Sequence, residues 1–117
     1  MEKKQGNPAV VVVTTTSGEE EARAIARAAV EQKLAACVHI DRISSVYFWE
    51  GAVQEEAEFR LAFKTTSATA DELMKMIGVM HSYDVPALYC LPVTGGSESY
   101  LEWVRENTEG GRRGGSG

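Results

Sequence analysis

The chain has 117 residues, 44% of them hydrophobic and 25% charged, with a formal net charge of −5 at pH 7. That size and balance suit one globular domain able to bury a core without disulfides or a structural metal. The acidic balance argues against nucleic acid, which needs clustered Lys and Arg, and no apolar run approaches the roughly 20 residues of a membrane-spanning helix.

Residues 1–8 are polar and read as a flexible N-terminus, with no secretory leader, so a cytoplasmic location is expected. Ala9 to Thr15 is predicted as a strand. Its Val10–Val13 run is β-branched and continuous, which suits burial on both faces in a central position. Ser17 and Glu20 have capping-box spacing and open a predicted helix, with Glu19–Glu21 favoured in its first turn by the helix dipole. Ala22, Ile25, Ala26, Ala29 and Val30 form its apolar stripe. Glu19–Arg23 and Arg27–Glu31 are i,i+4 pairs worth ~0.3 kcal/mol each.

Ala35–Phe48 reads as a long second strand, with a bulge or twist expected near Asp41–Ser45. Trp49-Glu50-Gly51 is the turn, and Ala52–Thr66 the third strand. There Ala57, Phe59, Leu61 and Phe63 alternate with Glu58, Arg60, Ala62 and Lys64, which predicts one buried and one wetter face. The short turn makes strands two and three an antiparallel hairpin. Thr69 and Glu72 mark a second capping box, and the second helix runs to about Met80 with Leu73, Met76, Ile77 and Met80 as its stripe. Pro86 precedes a last strand over Ala87–Val93. Ser97 to about Asn107 is a third helix with Tyr100, Leu101 and Val104 on its apolar side. Residues 9–109 thus form the folded domain, and 110–117, GGRRGGSG, a disordered Gly-rich tail.

The order is βαββαβ plus a C-terminal helix, an α+β, ferredoxin-like fold. Right-handed crossovers put both main helices on one face of an antiparallel four-stranded sheet. The opposite face is then left bare and the long hairpin exposes strand edges, both of which predict an oligomer. Cys37 and Cys90 lie in apolar runs and are expected to be buried small hydrophobes.

The segments EQKLAACVHI, SVYFWEG, FKTT, HSYDVPALYCLPV and SYLEWV, in that order, resemble the CutA family of divalent-cation-tolerance proteins over about Val10 to Asn107. The resemblance implies a ferredoxin-like fold, a heat-stable PII-like homotrimer with strand edges paired between subunits, and a link to tolerance of copper and other divalent metals. No enzymatic activity is firmly attached to the family; the absence of a nucleic acid or membrane partner is expected from the charge and the lack of a long apolar run. The family's proposed copper ligands are a Cys ending the first strand and paired His before the Tyr of an HPY-type segment. Here those positions hold Thr14, Met80 and His81.

Two sets of site residues follow. His81, Met80, Cys37 and Asp84 are the candidate metal ligands, soft sulfur favouring Cu(I) and imidazole Cu(II). Alternatively His81 is a loop residue bonded to backbone and Met80 belongs to the core. Lys33, Trp49, Glu50, Lys64, Tyr83 and Trp103 match family positions and suit a small anionic or aromatic ligand in a cleft between subunits. Alternatively Trp49 and Tyr47 pack on a neighbouring subunit while Glu50 pairs with a Lys. No G-x-S-x-G, P-loop or H-E-x-x-H motif is present, so the chain is not expected to be an enzyme. A purely structural trimer is the remaining reading.

Overall fold

The computed structural model describes residues 7–108. Strands β1 (Ala9–Thr16), β2 (Cys37–Trp49), β3 (Ala52–Thr66) and β4 (Leu88–Pro92) alternate with helices α1 (Glu19–Glu31), α2 (Ser67–Met80) and α3 (Glu98–Glu106). The sheet order is β2-β3-β1-β4, all antiparallel. This is the ferredoxin-like arrangement read from the sequence. Val10, Val12, Leu61 and Phe63 pack against Ala22, Ile25, Ala29, Leu73 and Ile77 of α1 and α2 to form the core. The alternation predicted along β3 is observed where β1 backs it, with Leu61 and Phe63 fully buried; toward the end of that pairing Phe59 is only half-buried, and beyond it Ala57, expected on the buried face, is exposed.

Several boundaries differ from expectation for local reasons. Helix α1 begins one residue late, with Gly18 as its N-cap and no side-chain cap, because Thr16 Oγ1 donates to the Gly18 carbonyl at 2.8 Å and fixes the turn itself. Helix α2 begins at Ser67, so Thr69 lies inside it and Thr66 is the cap. Its first N–H groups are taken up by the segment before β1: Ser67 N–H donates to Pro8 O at 2.9 Å and Ala68 N–H to Asn7 Oδ1 at 3.1 Å. Asn7 and Pro8 are therefore tied to the domain, while the expectations for residues 1–6 and for the 110–117 tail lie outside the described residues. Helix α3 starts as predicted, Ser97 Oγ accepting from Tyr100 N–H at 3.2 Å.

The β2–β3 register runs unbroken from Cys37↔Lys64 to Trp49↔Ala52, so the bulge expected near Asp41–Ser45 is not present. Glu50 and Gly51 close the hairpin with φ of 52° and 82°, the left-handed pair of a two-residue type I′ turn. Strand β1 pairs with β3 only from Phe59 to Thr66. Residues 43–49 and 52–58 therefore project beyond β1 as a two-stranded arm, and the chain is 51 Å in its longest dimension. The arm carries Val46 at 63%, Phe48 at 70%, Trp49 at 60% and Val53 at 66% exposure.

The face opposite α1 and α2 is not entirely bare. Helix α3 lies against β3 and β1, and Val104, Ala9 and Val13 are buried, while Tyr89 and Leu91 stay exposed on β4. Cys37 is only half-buried and Cys90 is exposed, in contrast to the expected burial, because each sits on an edge strand of the sheet.

Glu50 is a non-glycine residue in a left-handed conformation that Asn adopts more readily. Replacing Glu50→Asn is expected to raise stability by about 0.5 kcal/mol, read from the denaturation midpoint at fixed protein concentration.

Candidate functional site

The expected metal ligands do not converge. His81 ends α2 with its side chain fully buried. Its Nε2 lies 2.7 Å from the Thr15 carbonyl and its Nδ1 is 3.1 Å from the Tyr83 N–H. A carbonyl only accepts, so Nε2 carries the proton and Nδ1 is the acceptor. Both nitrogens are used, which leaves no lone pair for a metal. The Glu21 carboxylate, 3.7 Å from Nδ1, accepts instead from the Ser82 N–H at 2.8 Å and the Ser82 hydroxyl at 3.1 Å. Met80 and Asp84 are exposed beside this turn. Cys37 is elsewhere: it pairs with Lys64, and Lys64 with Val11, four residues along β1 from Thr15, or about 13 Å. Among the described residues no group of three or more His, Cys, Asp or Glu is placed to hold a metal ion. Thr14, at the position where the resemblance implies a thiol, is buried and donates from Oγ1 to the Ala87 carbonyl at 2.6 Å. It ties β1 to the approach of β4.

The expected cleft residues fall into three places. Lys64 Nζ donates to His39 Nδ1 at 2.9 Å, beside Cys37, with Lys33 in the turn that leads there in a left-handed conformation of φ 61°. Tyr100 and Trp103 stack at 6.0 Å between ring centroids on α3. Burial, then the nearby Cys37, holds the Tyr100 hydroxyl above its ordinary pKa. Trp49 and Glu50 sit at the arm tip, about 40 Å along the strand from Lys64. Tyr83 lies between, its hydroxyl donating to Glu58 Oε2 at 3.2 Å. One chain therefore keeps the aromatic tip and the basic end apart.

Sequence reasoning missed the polar links at the root of the arm. Glu58 receives Tyr83 and, at 2.6 Å, the Ser45 hydroxyl; Glu56 receives the Tyr47 hydroxyl at 2.9 Å. Period-two alternation put Glu58 on the wetter face, but no sequence signal pairs it or Glu56 with these partners. Further along, Arg60 donates to Asp41 at 2.9 Å. A shallow groove of about 460 Å³ beside β2 is lined by Arg23, Val38, Ile40, Arg42 and Phe59 among others and contains none of the expected site residues.

The hydrogen bond to Glu56 raises the Tyr47 pKa, and burial followed by the Glu58 charge raises that of Tyr83. A raised folded-state pKa favours the protonated form, so these contacts are intact below the ordinary tyrosine value of 10.0 and are lost as pH rises past it. Spectrophotometric titration is expected to show three phenols, those of Tyr47, Tyr83 and Tyr100, ionising above that value, and Glu58→Gln is expected to lower that of Tyr83. The Arg60 hydrogen bond lowers the Asp41 pKa below 3.8; that contact is present above 3.8 and is lost as pH falls through the lowered value.

Comparison with known proteins agrees along the whole folded body. The profile of the CutA1 divalent ion tolerance protein matches residues 10–107. The divalent-cation tolerance protein CutA of Thermus thermophilus is 45% identical over 91 residues, which cover 77% of this chain and 88% of that protein. Chloroplastic CutA of Arabidopsis thaliana is 42% identical over 86% of this chain, and human CutA is 42% identical over 78%. The chain spans only 56% and 51% of the length of those two proteins. In structure, the Thermus thermophilus protein superposes with a TM-score of 0.81 at 44% identity, covering 86% of this chain and 98% of its own. The periplasmic divalent cation tolerance protein CutA of Archaeoglobus fulgidus gives 0.82 at 35% identity, covering 85% and 97%. Matched over residues 10–107 and 45% identical to a relative of which it covers 88%, the chain belongs to the CutA1 divalent ion tolerance family.

Proposed function

We propose that this chain acts in divalent-cation tolerance as a homotrimer that binds a divalent metal, copper first, at contacts between subunits. The observation that carries the reading is the arm. Four large apolar side chains, Val46, Phe48, Trp49 and Val53, face water on a ribbon with no layer behind it, and exposed surface of that kind marks an interface. The open edges of β2 and β4 at the two ends of the sheet suit head-to-tail pairing around a closed ring. Of the expected donors, Cys37, Met80 and Asp84 remain accessible, and a thiol with a thioether suits Cu(I). One chain does not bring them together, so a site using them draws on a second copy. The reading is of a binding protein and not of an enzyme. The free thiols favour a reducing compartment such as the cytoplasm. No described helix is long and apolar enough to cross a membrane.

A second reading is favoured by the end of the sheet where Lys64 pairs with Cys37, near enough for the Cys37 charge to act on Tyr100 of the Tyr100–Trp103 stack. A cationic group and an aromatic pair at one end of the sheet suit a small anionic or aromatic metabolite, as in PII-like sensors, with the neighbouring subunit completing the cleft.

Light scattering is expected to give three times the 12.7 kDa chain mass; a monomeric mass rejects the assembly. Calorimetric titration with Cu(II), and anaerobically with Cu(I), is expected to give binding tighter than about 1 mM; weaker binding removes the metal role. A change in tryptophan emission on adding nucleotides or metabolites is expected only under the second reading.

A further inference from the structure

The turn after α2 is held by one side chain. The His81 side chain is fully buried, and its two nitrogens each hold a backbone group: Nε2–H the Thr15 carbonyl of β1 at 2.7 Å, and Nδ1 the Tyr83 N–H at 3.1 Å. Its ring lies 5.0 Å from that of Tyr83. Next to it, Glu21 of α1 takes both the N–H and the hydroxyl of Ser82. The turn therefore cannot shift without breaking bonds to β1 and α1 together. Tyr83 is aimed by this arrangement at Glu58, which also receives Ser45 from β2. Glu58 and Ser45 stand where the hairpin leaves the sheet.

A metal ion does not fit these donors. Binding at Nδ1 would require removal of the Tyr83 N–H, and binding at Nε2 would require loss of the proton given to Thr15. Either would unseat the turn, and among the described residues no group of three or more His, Cys, Asp or Glu gathers to hold a metal there, Glu21 bonding Ser82 instead.

We propose that His81 is a clasp and not a metal ligand: it fixes the 81–85 turn to β1 and so positions Tyr83 against the root of the hairpin arm. The inference bears on the metal reading only by removing His81 from its ligands. It stands or falls without any metal being bound.

The test is made on the intact protein. Imidazole nitrogen NMR is expected to show His81 with its proton on Nε2, unchanged by Zn(II) at tenfold excess. His81→Phe keeps a ring of similar shape without either bond. It is expected to raise hydrogen exchange of the Tyr83 amide at least tenfold and to lower the tyrosine pKa tied to Glu58. Its affinity for Cu(II), where the wild type binds copper, is expected to stay within twofold. A Zn(II)-induced shift of the His81 nitrogens in the wild type overturns the proposal, as does a proton on Nδ1 or a Tyr83 amide that exchanges equally fast in both proteins. If His81→Phe does not fold, the wild-type tautomer and its response to Zn(II) decide. A wild type that binds no copper ends the metal reading and leaves the clasp to be judged on the tautomer and the Tyr83 exchange.

Discussion

Strand β1 is 8 residues long and hydrogen-bonded on both sides, whereas the hairpin beside it has strands of 13 and 15 residues. That mismatch in length governs the rest of the molecule. Where β1 runs, the hairpin is backed by α1 and α2 and buries Leu61 and Phe63 completely. Where β1 stops, β3 changes from Leu61 and Phe63 to an exposed ribbon whose apolar residues meet no second layer. A two-stranded ribbon alone is marginal in water. Its persistence therefore depends on its root, which Tyr83 and Ser45 hold through Glu58, and on whatever covers its apolar side chains.

The end of β1 is correspondingly rich in threonine. Thr14 and Thr16 are buried where the sheet gives way to turns, and each hydroxyl donates to a carbonyl of an adjoining segment: Ala87 for Thr14 and Gly18 for Thr16. On β3, Thr65 does the same to Leu34 at 2.7 Å. Buried hydroxyls carry a desolvation cost unless bonded, and the described residues leave no fully buried side-chain nitrogen or oxygen without a partner. These bonds hold the connections close to the sheet, and His81 extends the same pattern to the turn after α2. His81, the residue that most resembles a metal ligand in sequence, thus belongs to a set of bonds that ties a connection to the sheet.

The elements were legible because their periods are strong. The valine run, the alternation along β3 and the alanine stripe of α1 each admit one reading, and burial follows them where β1 backs the hairpin, from Leu61 to Phe63, but not at Ala57. Capping was less legible, since Ser17-x-x-Glu20 competes with Thr16, whose bond to Gly18 lies outside the capping pattern. The site was least legible. His81 with Met80 and Asp84 has the composition of a ligand set, but whether a histidine is free depends on which backbone groups reach it. Those are Thr15, 66 positions away, and Tyr83. Likewise Trp49 and Lys64 are both family-matched, yet the straight register of the hairpin sets them at opposite ends.

The account rests on the arm being held by a second copy of the chain. Hydrogen exchange over residues 43–58 in the assembled protein tests this most directly, because an arm packed against a neighbour has no free edge from which to exchange. The account predicts that the outward-facing amides of Ile43–Phe48 are protected to the same degree as those of β1, and lose that protection on dissociation. Rapid exchange of those amides in the assembled protein, with β1 still protected, would contradict it.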